Sequence, residues 1–234
     1  MDTEMRVKKR DGTLKTIEFD KILRRLKTLG NYDAKAPLAI NYTALAMKVI
    51  DQIYDCISTA KIDELSAEQC MAMSSHHPDY STLAGRIVVS NHQKNTKNSF
   101  SEVMTDLYNF KDKHGKQSPL VSDELYQLVQ EHGAELDAMC DYSRDYLIDY
   151  FGFKTLERSY LMKINGKTVE RPQHMWLRVS VGIHGGGNLR FPPAPPFPYR
   201  ELMEQGGRRG DSSPPAPKVS PAARRHTTTC LASI

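Results

Sequence analysis

Lys9, Arg10, Lys15 and Lys21 crowd one turn and the helix after it, in the stretch MRVKKRDGTLKTIEFDKILRRLKTL from Met5 to Leu29. Polyphosphates are held by several cations acting together with backbone N–H groups at a turn or helix start. These four converge on one phosphate chain if the turn folds over the helix. The competing reading is that lysines on a short exposed hairpin are solvated and keep its edges from pairing.

Elsewhere the chemistry is sparse. The sequence contains no GxGxxG and no GxxxxGK[ST], and Gly185-Gly186-Gly187 is followed by neither a lysine nor a helix. His76 and His77 precede Pro78 at a helix start, and no Cys/His cluster has zinc spacing, so no metal site is expected. Met71, Met73 and the tyrosines between Tyr142 and Tyr160 read as packing rather than redox groups.

The elements that position the cations follow from the pattern around them. Asp11-Gly12 between two alternating segments predicts a hairpin with a type I′ turn, in which both central residues take positive φ. Asp20 is the expected N-cap of a helix with Ile22, Leu23, Leu26 and Leu29 on one stripe and Gly30 as its C′ stop. A polar connector over 31–41 leads to a helix over Tyr42–Tyr54, with Ala46, Val49, Ile50 and Ile53 on one face. Cys56 to Thr59 is read as non-helical. Ser58 or Thr59 then caps a helix over Ile62–Met73, with Asp63, Glu64 and Glu68 near its positive end. A fourth helix starts at His77-Pro78, buries Leu83, Ile87 and Val88, and ends in the polar SNHQKNTKNS. One basic hairpin and four helices make a compact α+β, mainly helical module in which the hairpin lies on the helices.

A second unit begins at Phe100. Val103, Met104, Leu107 and Tyr108 mark one helix, and Ser122 caps another carrying Leu125, Leu128 and Val129. Asn165-Gly166 predicts a second type I′ hairpin, and Gln173–Ile183 a helix with Met175, Trp176, Val179 and Ile183 facing one way.

Composition breaks at Gly185. Residues 1–184 hold 25 Lys+Arg and 25 Asp+Glu, whereas 185–234 hold 7 against 3, with nine of the 13 prolines. The pI near 8.8 therefore belongs to the tail, and the folded part is not expected to bind nucleic acid. Residues 186–234 are expected to be disordered, because such sequence buries too little apolar surface to offset its ordering entropy. PPAPPFP there is alternatively a polyproline II ligand for an SH3-like partner. No apolar run approaches membrane-spanning length and no signal peptide is evident, so a cytoplasmic location is expected, with Cys56, Cys70, Cys140 and Cys230 as free thiols.

VKKRDG, TIEFDKI, Thr59 with Asp63, HPDY at 77–80 and RIVVSN followed by Lys94 resemble, in order and spacing, an ATP-cone. This is the nucleotide-sensing module of ribonucleotide reductase large subunits. YFGFKTLERSYLMKINGKTVERPQHMWLRVSVGIHG at 150–185 is similar to the N-terminal helical region of class I large subunits.

The resemblance implies three segments: an ATP-cone over 1–98, with the basic hairpin as lid on a four-helix bundle, a helical region with one β-hairpin over 99–185, and the tail over 186–234. It implies ATP or dATP as allosteric effector, with magnesium accompanying the nucleotide. Lys9 and Arg10 resemble the phosphate-proximal pair. Lys15, Thr16, Ile17, Glu18, Phe19, Asp20 and Lys21 resemble the lid-to-helix segment, and Lys94 a late-helix cation. Thr59 resembles a residue lining the site, and Asp63 the carboxylate that tells ATP from dATP, beside its dipole role.

The family continues into a ten-stranded α/β barrel with catalytic cysteines that this sequence does not show. Tyr199 to Met203 only faintly matches the helix expected next, and Cys230 has the wrong flanks for an active-site cysteine. The break after 185 is read as a reading-frame slip, a mis-assigned exon or a truncated gene. The chain alone is expected to reduce no nucleotide. Its implied partners are the radical-generating small subunit, further large subunits and nucleotide effectors. The alternative is a free-standing nucleotide sensor that regulates a complete reductase.

Overall fold

The computed structural model describes residues 5–32 and 37–184. The expectations for the tail, including its disorder, its polyproline segment and Cys230, lie outside the described residues. Among those described, the chain is mainly helical with two small sheets.

β1 (Arg6–Lys8) pairs antiparallel with β2 (Leu14–Thr16) in the register Arg6↔Thr16, Val7↔Lys15, Lys8↔Leu14. Alternation turns Val7 into the core and leaves its neighbours Arg6 and Lys8 exposed. The turn differs from the one expected. Gly12 has φ +87°, but Asp11 is not in the left-handed region. Gly12 N–H donates to Lys9 O (3.0 Å) and Lys9 N–H to Thr13 O (2.8 Å). This is the longer hairpin loop that ends in a left-handed glycine, and the Asp11 carboxylate ties it by accepting from Thr13 N–H and Oγ1.

Cys56 to Thr59, read from sequence as non-helical connection, contains β3 (Ile57–Ser58), which pairs parallel with β1. Periodicity cannot reveal a strand of two residues. It anchors the hairpin to the start of α3 (Thr59–Ala72), where Ser58 Oγ accepts from Lys61 N–H.

α1 (Phe19–Gly30) starts one residue before the expected Asp20 cap, so Asp20 lies in the first turn and acts through the helix dipole instead. Gly30 is not a left-handed stop either. A Cβ there would lie 2.0 Å from Tyr42 Oη, so glycine is required by close packing, while Arg86 donates to the Leu29 and Gly30 carbonyls at the helix end. α2 (Tyr42–Ile50) is shorter than expected and is capped by Asn41.

α4 (Asp79–Asn95) is the central element. Its polar end is buried: Ser90, Asn91 and His92 sit inside the molecule, not on a fraying terminus. His92 Nε2 donates to Glu170 O (3.0 Å), and Arg171 donates to Gln93 O and Thr96 O, which neutralises the last carbonyls of the helix. Phe153 joins the same core as Leu26, Leu45, Ile57, Leu83 and Ile87. α4 thus serves both sides of the boundary that the sequence places at 98/99.

Beyond it come α5 (Phe100–Tyr108) and α6 (Asp123–Ala138, capped by Ser122). A 3-10 turn over Tyr142–Leu147 leads to α7 (Tyr150–Ser159). β4 (Lys163–Ile164) and β5 (Lys167–Thr168) then form a hairpin whose Asn165 and Gly166 both have positive φ, as expected for type I′. In α8 (Pro172–His184) the expected apolar face is split: Met175 is buried, but Trp176, Val179 and Ile183 are exposed.

Candidate functional site

Folding the hairpin over α1, α3 and α4 encloses a cavity of about 160 Å³. Val7 enters it from β1, Ile22 and Leu26 from α1, Ile62 and Ser66 from α3, and Ile87 from α4. Of the candidate residues, Lys9, Arg10, Thr16, Ile17, Glu18, Lys21, Thr59, Asp63 and Lys94 line it. Lys15, Phe19 and Asp20 lie outside the lining and are exposed. Lys15 lies on β2, which is exposed along its whole length, and Phe19 and Asp20 lie in the exposed first turn of α1.

Asp63 organises the polar end. It is buried, and its Oδ1 accepts from Arg25 Nε at 2.6 Å while Oδ2 accepts from Arg25 Nη2 at 2.9 Å and from Arg10 Nη2 at 3.1 Å. Arg10 also donates to Asn91 Oδ1 (2.6 Å) and Asn95 Oδ1 (2.9 Å), so the loop residue is held to α3 and α4 at once. The expected dipole role does not hold, because α3 has no acidic residue in its first turn; Asp63 is instead a buried carboxylate held by two guanidinium partners.

Lys94 stands in the field of this cluster. Desolvation first, then the positive charges of Arg25 and Arg10, push its ammonium below the usual lysine range, and Asp63 offsets only part of that. Three cations face one carboxylate, so the cavity mouth has an excess of positive charge that an anion would relieve.

Arg25 was not among the candidates. Its signal was present in the sequence: it lies four residues after Lys21, on the edge of the stripe formed by Ile22 and Leu26. The apolar lining residues were legible as core, but not as the walls of a cavity.

No group of three metal-ligating side chains occurs among the described residues. Asp63 is engaged by arginines, and Glu18 accepts from Lys21 Nζ at 2.6 Å. The carboxylates lining this cavity are therefore committed to cations, and its residues do not fit a protein-held magnesium ion.

Residues 5–95 match the ATP cone domain, and residues 146–201 match the ribonucleotide reductase all-alpha domain, a match that runs into the stretch that composition assigns to the tail. The chain is 49% identical over 184 residues to a ribonucleoside-diphosphate reductase large subunit of Arabidopsis thaliana, covering 77% of this chain and 22% of that protein. It is 48% identical over 186 residues to the large subunit of Dictyostelium discoideum, covering 79% and 21%. It is 44% identical over 182 residues to the large chain 2 of Saccharomyces cerevisiae, covering 77% and 21%. The chain thus spans about a fifth of the length of these relatives. An ATP cone whose hairpin closes on Asp63, followed by the all-alpha domain, places the chain in the ribonucleoside-diphosphate reductase large-subunit family.

Proposed function

We propose that residues 5–95 bind ATP or dATP between the β1–β2 hairpin and helices α1, α3 and α4, and that the bound nucleotide acts as an allosteric effector. The observation that supports this best is the cluster of Arg10, Arg25 and Lys94 around the single buried carboxylate of Asp63, at the mouth of an apolar cavity. The apolar walls suit a base, and the cations suit phosphates. Asp63 is the carboxylate that distinguishes ATP from dATP, and Lys9, Lys21 and Thr59 complete the polar rim. Magnesium enters with the phosphates, since the lining carboxylates are taken.

In this reading the chain is the regulatory N-terminal part of a large subunit that reduces ribonucleoside diphosphates with a radical-generating small subunit, and its oligomer state answers to the effector. The chain alone reduces no nucleotide. Ribose reduction by a cysteine relay needs thiols gathered in one cavity, whereas among the described residues Cys56 is exposed, Cys70 is buried in the core with its thiol pushed up to about 12, and Cys140 is partly buried.

Calorimetric titration of the chain with ATP and dATP tests the proposal. The wild type is expected to bind both, and Lys9→Ala to weaken both. Asp63→Asn is expected mainly to change the ratio between them. Identical binding in the three proteins, or heat from none, would count against it.

A further inference from the structure

At about 160 Å³ the inner cavity is too small for a nucleoside triphosphate. An apolar cavity of roughly 150 Å³ takes one ring such as benzene, and sites for larger ligands run to about 300–1,000 Å³. Directly against it opens a second cleft of about 790 Å³ that shares Lys9, Arg10, Thr59 and Lys94 with it. The far wall of this cleft lies outside the stretch that matches the ATP cone. It is made by Lys154 of α7 and by Lys167 at the turn of the β4–β5 hairpin.

The two chambers differ in character. The inner one has an aliphatic wall of Val7, Ile17, Ile22, Leu26, Ile62 and Ile87 and keeps its five Lys and Arg residues beside Glu18 and Asp63, whereas the outer one sets six Lys and Arg residues against Glu64 and Glu157 with little aliphatic wall. The positive end of α3 opens into the outer one at Ser58 to Ala60. Lys154 pairs with Glu157 at 2.9 Å and also feels Glu64 of α3. A ring-sized apolar chamber joined through shared cations to a wider cationic cleft mirrors a nucleotide, with its flat base and its charged chain.

The far wall is firmly seated. His92 packs edge-to-face on Phe153 at 5.1 Å and bonds to Glu170 O, and a Cβ on Gly85 would lie 3.2 Å from Ile148 O, so the segment leading into α7 presses on α4.

Resting on the reading that the inner cavity takes the nucleoside, we propose that the outer cleft receives the phosphate chain, and that Lys154 and Lys167 bind its terminal phosphate. The effector's phosphate count would then be read by side chains that follow the cone, and a triphosphate would tie the two regions together.

The test titrates AMP, ADP and ATP into the full chain as wild type, Lys167→Ala, and Lys154→Ala/Lys167→Ala. The double variant is expected to lose about tenfold in ATP affinity, with AMP changed less than about twofold. Lys167 is exposed at a turn, so its single variant folds normally and is expected to show part of the same loss. ATP binding with the triphosphate preference intact in both variants would overturn this assignment and leave the nucleotide site standing. A stoichiometry that drops from two to one in the double variant would also overturn it, because the cleft would then hold a ligand of its own. If the wild type binds no nucleotide, the underlying reading fails.

Discussion

Arg25 and Asp63, 38 residues apart in the chain, meet as a bidentate pair with N···O distances of 2.6 and 2.9 Å at the polar end of the cavity. The pair locks α1 to α3. Arg10 joins it from the hairpin at 3.1 Å, so one carboxylate ties together lid, first helix and third helix. Removing a partner from such a cluster leaves like charges facing each other.

Asp63→Asn is therefore expected to lower the unfolding free energy by about 1–2 kcal/mol, less than for a dry ion pair because both guanidinium groups keep some water. Urea denaturation followed by circular dichroism measures it. A variant as stable as wild type would show that the cluster does not brace the fold.

Gly30→Ala isolates packing from backbone conformation, because Gly30 is helical. The new methyl group would collide with the Tyr42 ring, and the expected cost is about 1–3 kcal/mol in the same denaturation assay. An unchanged midpoint would mean that Tyr42 swings aside freely.

Acid should weaken the fold between pH 6.5 and 4. His174 is buried and neutral: its Nδ1 accepts from Arg171 N–H, and Nε2 donates to Tyr142 Oη at 2.8 Å, while Tyr142 donates to Asn98 O. Desolvation first, and then Arg171, push the imidazole from 6.5 down to about 4. The unfolded chain takes up a proton that the native state refuses, so this stability is complete above pH 6.5 and falls as the pH drops. The loss reaches about 2 kcal/mol at pH 5, and His92, also held down by burial, adds in the same direction. Unfolding free energies measured from pH 7 to pH 5 check the sign. His174→Gln should flatten the dependence, and a slope equal to that of wild type would assign the effect elsewhere.

Much of this was legible in the residues and some was not. The stripe of Ile22, Leu26 and Leu29, the Ser58 and Ser122 caps and the Asn165-Gly166 turn are local patterns, and they fold as written. The hidden features are tertiary. Ile57–Ser58 becomes a strand only because β1 lies beside it, Asn91 is buried where Arg10 and Ala60 bond to it, and His92 where Phe153 of α7 and Glu170 meet the end of α4. Arg25 reads as one more cation on a basic helix until Asp63 is placed opposite it. Lys9, Arg10 and Lys94 were nameable from order and spacing, but the chamber behind them required the fold.

Salt should weaken ATP binding, since the cavity mouth is partly solvated and its pull on phosphates is screened. Raising NaCl from about 50 to 200 mM is expected to lower ATP affinity several-fold in wild type and less in Lys94→Ala. Equal salt slopes in the two proteins would remove Lys94 from the phosphate contacts.

Hydrogen–deuterium exchange of the chain with and without saturating ATP tests most directly whether the nucleotide sits under the hairpin. Protection is expected in β1–β2, at the start of α3 and over the last turns of α4, with α6 unchanged. Protection confined to α5, α6 or α8, or no change in the hairpin at saturation, would contradict the account.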